Sequence, residues 1–321
     1  MNRELGSQLW GNWVAARYRF QFKVTTPIAL PGYAGSTIRG VFGRALRRLS
    51  CITHESDCKH CPLYRSCVYT NLFETPAPEE HSLQKFSQVP NPFIIEAPIC
   101  QVRFYQPGDC LSFCVVLIGH AVRQLPLVIF ALKKGFEYNI AHGTAMLQKV
   151  DHINTKGKAI CIYHAEDRSI VEHETFITCP SFSHVDEINL RFETHLRLQK
   201  NGVVLGAKEI NPHAFLSALV RRIALLSEFH MKKPLSLDFS KLSALAETVQ
   251  WEKDFQWRDW QRYSSRQKRT MHLGGLLGQC RFKKLPSEFL PFLYLGQWFH
   301  MGKNATFGLG KFQIGVKSDE K

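Results

Sequence analysis

Polar and apolar residues alternate from Tyr18 to Val24 (YRFQFKV), the period of a strand with one buried face. Pro27 to Gly35 reads as a loop, and Ser36 is a side chain suited to capping a helix. Ile38, Val41, Phe42, Ala45, Leu46 and Leu49 then recur at helical spacing and predict one apolar stripe. The opposite face reads Arg39, Gly40, Gly43, Arg44, Arg47 and Arg48. Each glycine costs about 1 kcal/mol relative to alanine inside a helix. Their presence on the basic face therefore predicts close approach of another backbone, protein or nucleic acid. Pro76 to Pro98 is proline-rich and predicts irregular chain. Leu111 to Ile118 reads as a strand, Leu125 to Tyr138 as a helix, and Thr144 to His152 and Ala159 to His164 as strands.

The pattern then restarts. Ile188 to Leu198 (INLRFETHLRL) alternates again, and Asn211 with Pro212 forms an N-cap and first-turn pair. Phe215, Leu219, Ile223, Leu226 and Phe229 make a second apolar stripe, with Arg221 and Arg222 on its other face. A strand, a loop and an arginine-bearing amphipathic helix thus occur twice, which predicts two related α+β domains with a boundary near 180–186. A length of 321 residues agrees with about two domains. With 45% hydrophobic and 21% charged residues, composition excludes wholesale disorder, collagen and coiled coil. No run reaches the roughly 18 apolar residues of a membrane helix. The N-terminus has no apolar core of a signal peptide, so the expectation is a soluble, cytoplasmic protein.

Charge adds a partner class. Forty-one Lys and Arg against 27 Asp and Glu leave a net charge of +14. Residues 1–50 and 258–284 each carry eight basic side chains and one acid, and the rest of the chain is balanced. Two basic blocks on a neutral body predict an assembled polyanion site. Trp257, just before the second block, and Trp260, Tyr263 and Phe282 within it suit stacking on bases, which favours a nucleic acid.

Four of the ten cysteines cluster as Cys51, Cys58, Cys61 and Cys67, spaced C-x6-C-x2-C-x5-C. The C-x2-C knuckle with two outer thiols predicts a four-ligand structural zinc site, with His54 and His60 available as substitutes and free thiols the alternative. The other six read as small core residues. Near the C-terminus, LGQWFHMGKNATFGLGKFQIGV is punctuated by Gly302, Gly308 and Gly310 beside Lys303 and Lys311, the make-up of a loop that cradles phosphates. Lys303 is followed by Asn304, so this is no nucleotide-binding P-loop, and no nucleotide cofactor is expected.

Four strings, LPGYAGSTIRGVFGRALRRLSC, the cysteine cluster running into CVYTNLFE, RYSSRQKRTMHLGGLLGQ and FHMGKNATFGLGKF, occur in order along the chain. Together they resemble the CRISPR-associated pre-crRNA processing endoribonucleases of the RAMP superfamily. The resemblance implies two tandem ferredoxin-like (RRM-like) domains. These would span 1–184, with a Cys-rich zinc-binding insertion at about 51–67, and 185–321, with a Gly-rich loop at 302–310. It implies RNA in a basic cleft and cleavage of CRISPR repeat RNA without a catalytic metal. The 2′-OH would attack the phosphate to leave a 2′,3′-cyclic phosphate and a 5′-OH.

Relatives commonly place a general-base histidine in or near the first helix, whereas residues 1–50 here contain none. His300 is then the leading acid/base candidate, with His272 the weaker one. Tyr33 is the candidate to orient the 2′-OH, and Lys303 or Arg266 to stabilise charge. Candidate RNA contacts are Arg39, Arg44 and Arg48 on the first helix, Arg262, Tyr263, Ser264, Arg266, Gln267, Lys268 and Arg269, and Lys303, Gly308, Gly310 and Lys311 of the loop. The missing histidine keeps a second reading open: a non-catalytic RAMP subunit that holds guide RNA in a CRISPR effector complex. A third is a zinc-containing RNA-binding protein of unrelated role.

Overall fold

A computed structural model describes residues 11–77, 89–98, 103–167, 169–182, 187–264, 269–272 and 274–315; for 261–264 and 269–272 only the backbone is described. The chain divides into two compact units. One holds Val14–Ile177 and Phe229–Lys232; the other holds the start of the chain through Trp13 with Thr178–Glu228 and Lys233–Lys321.

In the first unit the strands are β1 (Gly11–Thr26), β2 (Ile28–Ala29), β3 (Phe93–Glu96), β4 (Phe104–Tyr105), β5 (Cys110–Ile118), β6 (Thr144–Ile153), β7 (Ala159–His164) and β8 (Phe176–Cys179). The helices are α1 (Gly35–Ser50), α2 (Val68–Phe73) and α3 (Leu125–Tyr138). The sheet runs β3-β5-β1-β6-β7, with β8 on β1. Alternation along β1 sends Tyr18, Phe20 and Phe22 into the core, where Phe22 stacks on Phe136 of α3 with centroids 4.2 Å apart. Two expectations are corrected. The helix starts at Gly35 after Ala34, and Ser36 makes no cap. The stretch to Pro98 is not all irregular, because Phe93–Glu96 pairs antiparallel with β5. All four of its residues are buried, so it shows no alternation to betray it.

The second unit holds β9 (Glu187–Leu196), β10 (Gln199–Lys200), β11 (Val203–Val204), β12 (Gln250–Arg258), β13 (Gln261–Ser264), β14 (Arg269–His272), β15 (Gly275–Lys283) and β16 (Phe312–Gly315). Its helices are α4 (Pro212–Met231, whose end falls in the first unit), α5 (Phe239–Thr248) and α6 (Leu290–Phe299). The four-stranded antiparallel sheet runs β12-β15-β9-β16. Asn211 caps α4 by accepting from the Ala214 amide at 2.8 Å, and Phe215, Leu219, Ile223 and Leu226 are buried. Arg222 does not face solvent as the helical wheel implies. Its guanidinium turns onto the end of α6, donating to the carbonyls of Phe299 (3.0 and 2.8 Å) and His300 (2.9 Å). Burial pulls its pKa down to about 10. Ignoring the short strands and added edges, both units follow β-α-β-β-α-β with the first strand beside the third and fourth.

Candidate nucleic-acid interface

The glycine-rich loop folds back on the end of β9. Gly302, Gly308 and Gly310 all have φ between 70° and 86°, where a side chain is strained. A Cβ on Gly302 would overlap the Arg197 carbonyl, and one on Gly310 the Met301 carbonyl. The amides of Lys303, Gly310 and Gly308 donate to the carbonyls of Arg197 (2.8 Å), His195 (2.9 Å) and Ala305 (2.7 Å). The Lys311 amide donates to Thr194 Oγ1, and its ammonium pairs with Glu193 at 3.0 Å. The expected phosphate cradle is therefore corrected at Gly308 and Gly310: the Gly310 amide holds the loop to β9 and the Gly308 amide closes a turn within the loop. Lys303 is exposed. His300 has no exposed surface, adopts φ 52°, and holds the Leu309 carbonyl with Nδ1 at 3.2 Å. A substrate reaches it only if this loop opens.

Alternation along β9 buries Ile188, Leu190, Phe192, Thr194 and Leu196, leaving Asn189, Arg191, Glu193 and His195 for the other sheet face, with Arg197 just past the strand's end. His195 and Arg197 were not singled out from the sequence, although INLRFETHLRL already assigns them to the polar face. The β13–β14 ribbon sets Arg262 opposite Met271, Tyr263 opposite Thr270 and Ser264 opposite Arg269. Arg266, Gln267 and Lys268 lie outside the described residues, and His272 pairs with Gln261.

In the first unit the basic face of α1 splits. Arg44 and Arg48 share a groove of about 580 Å³ with Lys134, Glu137 and Tyr138, and the Arg48 guanidinium lies 4.7 Å over Tyr138. Arg39 instead stacks on Phe73 at 4.8 Å, and Arg47 donates to the carbonyls of Glu55 and Ser56. Gly43 serves the fold. A Cβ on Gly43 would stand 2.8 Å from the Phe73 ring, so the close neighbour is a side chain rather than another backbone. Tyr33 is half-buried in the bend before α1. Some of the positive charge is neutralised locally: Arg17 pairs with Glu96 at 3.0 Å, Arg19 with Asp151 at 2.8 Å, and Lys283 with Glu252 at 2.5 Å.

Cys51, Cys58, Cys61 and Cys67 all line one small pocket of about 20 Å³ with Arg47, Tyr64 and Tyr69. Thr53 Oγ1 lies 3.2 Å from Cys61 Sγ, and burial raises the Cys58 thiol pKa against the lowering effect of Arg47. Among the described residues no three His, Cys, Asp or Glu side chains are grouped to hold a metal ion. Of the remaining cysteines, Cys179 and Cys280 are buried as expected of core residues, whereas Cys114 is half-buried and Cys110 and Cys161 are exposed; Cys100 lies outside the described residues. Among the described residues no helix is long and apolar enough to cross a membrane.

A family model described as an N-terminal domain matches residues 13–175, and the model for the CRISPR-associated endoribonuclease Cas6 matches residues 190–312. Over residues 190–312 the chain is thus similar to Cas6. A Cas6 product complex from Thermus thermophilus superposes with a TM-score of 0.57 at 14% identity, covering 94% of this chain and 99% of that one. A partial Cas6-RT-Cas1–Cas2 complex gives a TM-score of 0.56 at 14% identity over 97% of this chain. The chain spans 47% of that relative's length and 29% of the corresponding chain in a second such complex. No curated protein matches the sequence. At these identities the structural likeness speaks for the fold. Within the Cas6 match fall β9, the β13–β14 ribbon and the glycine-rich loop.

Proposed function

We propose that this chain is an endoribonuclease that cuts CRISPR precursor transcripts within the repeat. The 2′-OH attacks the phosphate, the products carry 2′,3′-cyclic phosphate and 5′-OH ends, and the chemical step needs no metal. The Cas6 match over 190–312 carries this reading. The two β-α-β-β-α-β units support a tandem ferredoxin-like arrangement. Arg44, Arg48, Lys303 and the basic ribbon are the groups offered to RNA phosphates. Tyr33 orients the attacking hydroxyl and Lys303 stabilises charge on the phosphorane. The test is cleavage of a CRISPR repeat RNA by the purified protein in EDTA. The expected outcome is a single cut with a cyclic phosphate end, abolished by a 2′-deoxy substitution at the scissile nucleotide. Cleavage that requires added metal would sink the mechanism.

One observation favours the second reading, a RAMP subunit that holds RNA without cutting it. His300 is wholly buried, and residues 1–50 have no histidine. Tight binding with no cleavage under any condition would establish it, with other effector subunits as partners.

We also propose a structural zinc at Cys51, Cys58, Cys61 and Cys67 on their C-x6-C-x2-C-x5-C spacing and shared pocket, although the described side chains are not grouped as the ligands of a metal. Its place would be to tie the loop after α1. Protein purified without chelator is expected to hold about one zinc per chain by elemental analysis, and the double variant Cys58→Ser/Cys61→Ser to hold none. Stripping the metal is expected to lower Tm. Zinc-free protein after expression in zinc-supplemented medium would leave the free-thiol reading.

A further inference from the structure

The end of β9 gathers a base, two cations and an indole without any residue of α1. His195 is half-buried, and its backbone is gripped on both sides. Its carbonyl accepts from the Gly310 amide at 2.9 Å, and its Cβ packs against Gly275, where an added Cβ would approach to 2.9 Å. Two residues on, just past the end of β9, Arg197 lies beside the same Gly275 and is only 9% exposed. Its Nη1 donates to the Gly274 carbonyl, while its Nε is buried with no hydrogen-bond partner among the described residues. Arg197 also accepts the Lys303 amide at 2.8 Å, which stations the exposed Lys303 beside it. The Trp260 ring lies 6.3 Å from the His195 ring at an interplanar angle of 43°. Of the neighbouring carboxylates, Glu193 is engaged by Lys311 and Asp259 by the Trp257 indole.

We infer that His195 is the general base of the proposed RNA cleavage, with Arg197 and Lys303 holding the scissile phosphate and Trp260 stacking on a flanking base. The inference rests on the endoribonuclease reading and supplies the histidine that α1 lacks. His195 removes the 2′-OH proton as that oxygen bonds to phosphorus. The bond from phosphorus to the 5′-oxygen breaks, the 5′-oxygen takes a proton from water, and the imidazolium proton neutralises the hydroxide. Burial and then the Arg197 charge lower the His195 pKa, so the ring is neutral at pH 7 and ready to accept a proton.

The experiment compares wild type, His195→Ala and His195→Gln on repeat RNA in EDTA, with 2′-deoxy repeat RNA for binding. Loss of a general base costs about 10²–10⁴-fold in rate, and that loss is expected in both variants while Kd stays nearly unchanged. In wild type the rate rises with pH through an inflection below the ordinary histidine range, which His195→Gln loses. Free imidazole restores part of the His195→Ala activity, which a purely structural role would not allow. If wild type cuts and His195→Gln cuts comparably with its pH profile intact, His195 is not the base although the enzyme reading stands. If variants lose activity without imidazole rescue and also lose Tm, His195 is structural and the inference falls. If wild type never cuts, the endoribonuclease reading falls and takes this inference with it.

Discussion

Arg222→Ala is expected to lower the unfolding free energy of the C-terminal unit by about 2–4 kcal/mol. The guanidinium closes the C-terminal end of α6, where the last carbonyls of any helix lack partners inside it. It makes three hydrogen bonds to the carbonyls of Phe299 and His300. Hydrogen bonds to a charged donor contribute about 1.5–3 kcal/mol each, and stranded buried acceptors add their own penalty. Against this, the buried cation is itself unfavourable, as its lowered pKa shows, so the loss falls short of the sum. Urea unfolding followed by tryptophan emission isolates the effect, because Trp251, Trp257, Trp260 and Trp298 lie in this unit. Arg222→Lys keeps the charge without the planar fork and is expected to fall between the two. A change under about 0.5 kcal/mol for Arg222→Ala, the level of an ordinary surface substitution, would remove the capping role.

Gly310→Val is expected to cost about 3–4 kcal/mol and to reduce RNA cleavage by more than about 100-fold. Gly310 sits at φ 70°, which a β-branched residue resists, and the new Cβ would overlap the Met301 carbonyl. Relief requires the loop to move. That breaks the bond from the Gly310 amide to His195 and the 3.1 Å bond from the Met301 amide to Gly310. The loop then no longer holds the strand that carries His195 and Arg197. The control is Gly157→Ala, also at positive φ but with nothing within 4 Å of the added Cβ. It is expected to cost only the backbone strain, about 1 kcal/mol, and to leave cleavage unchanged. Equal effects in the two variants would show that backbone conformation alone matters. Retained cleavage in Gly310→Val would detach the loop from the site.

The legible parts of this chain are those where local period and burial agree. Leu125–Tyr138 and Ala159–His164 stand as helix and strand at the bounds their patterns imply, and Asn211 caps the helix it precedes. The doubled strand-then-helix pattern marks the two units. Phe93–Glu96 escapes because both its faces are covered, so burial erases the alternation on which strand reading depends. His300 draws attention because it stands next to a glycine-rich loop, yet its ring faces inward; adjacency in sequence does not say which way a side chain points.

By itself, the sequence determined the two-unit α+β plan, the likeness to Cas6 and the roster of cationic and thiol side chains. These depend on residue type and on spacings shorter than a helix or strand. Only the tertiary structure decided which of those side chains are spent within the fold. Arg17, Arg19, Arg39 and Arg222 are engaged by carboxylates, rings and carbonyls from distant parts of the chain. Meanwhile His195 and Arg197, unremarkable in the sequence, are set against the glycine-rich loop by contacts more than a hundred residues apart. Charge and nucleophilicity are local properties of a residue, but availability depends on what the rest of the chain packs against it, and long-range pairing sets that.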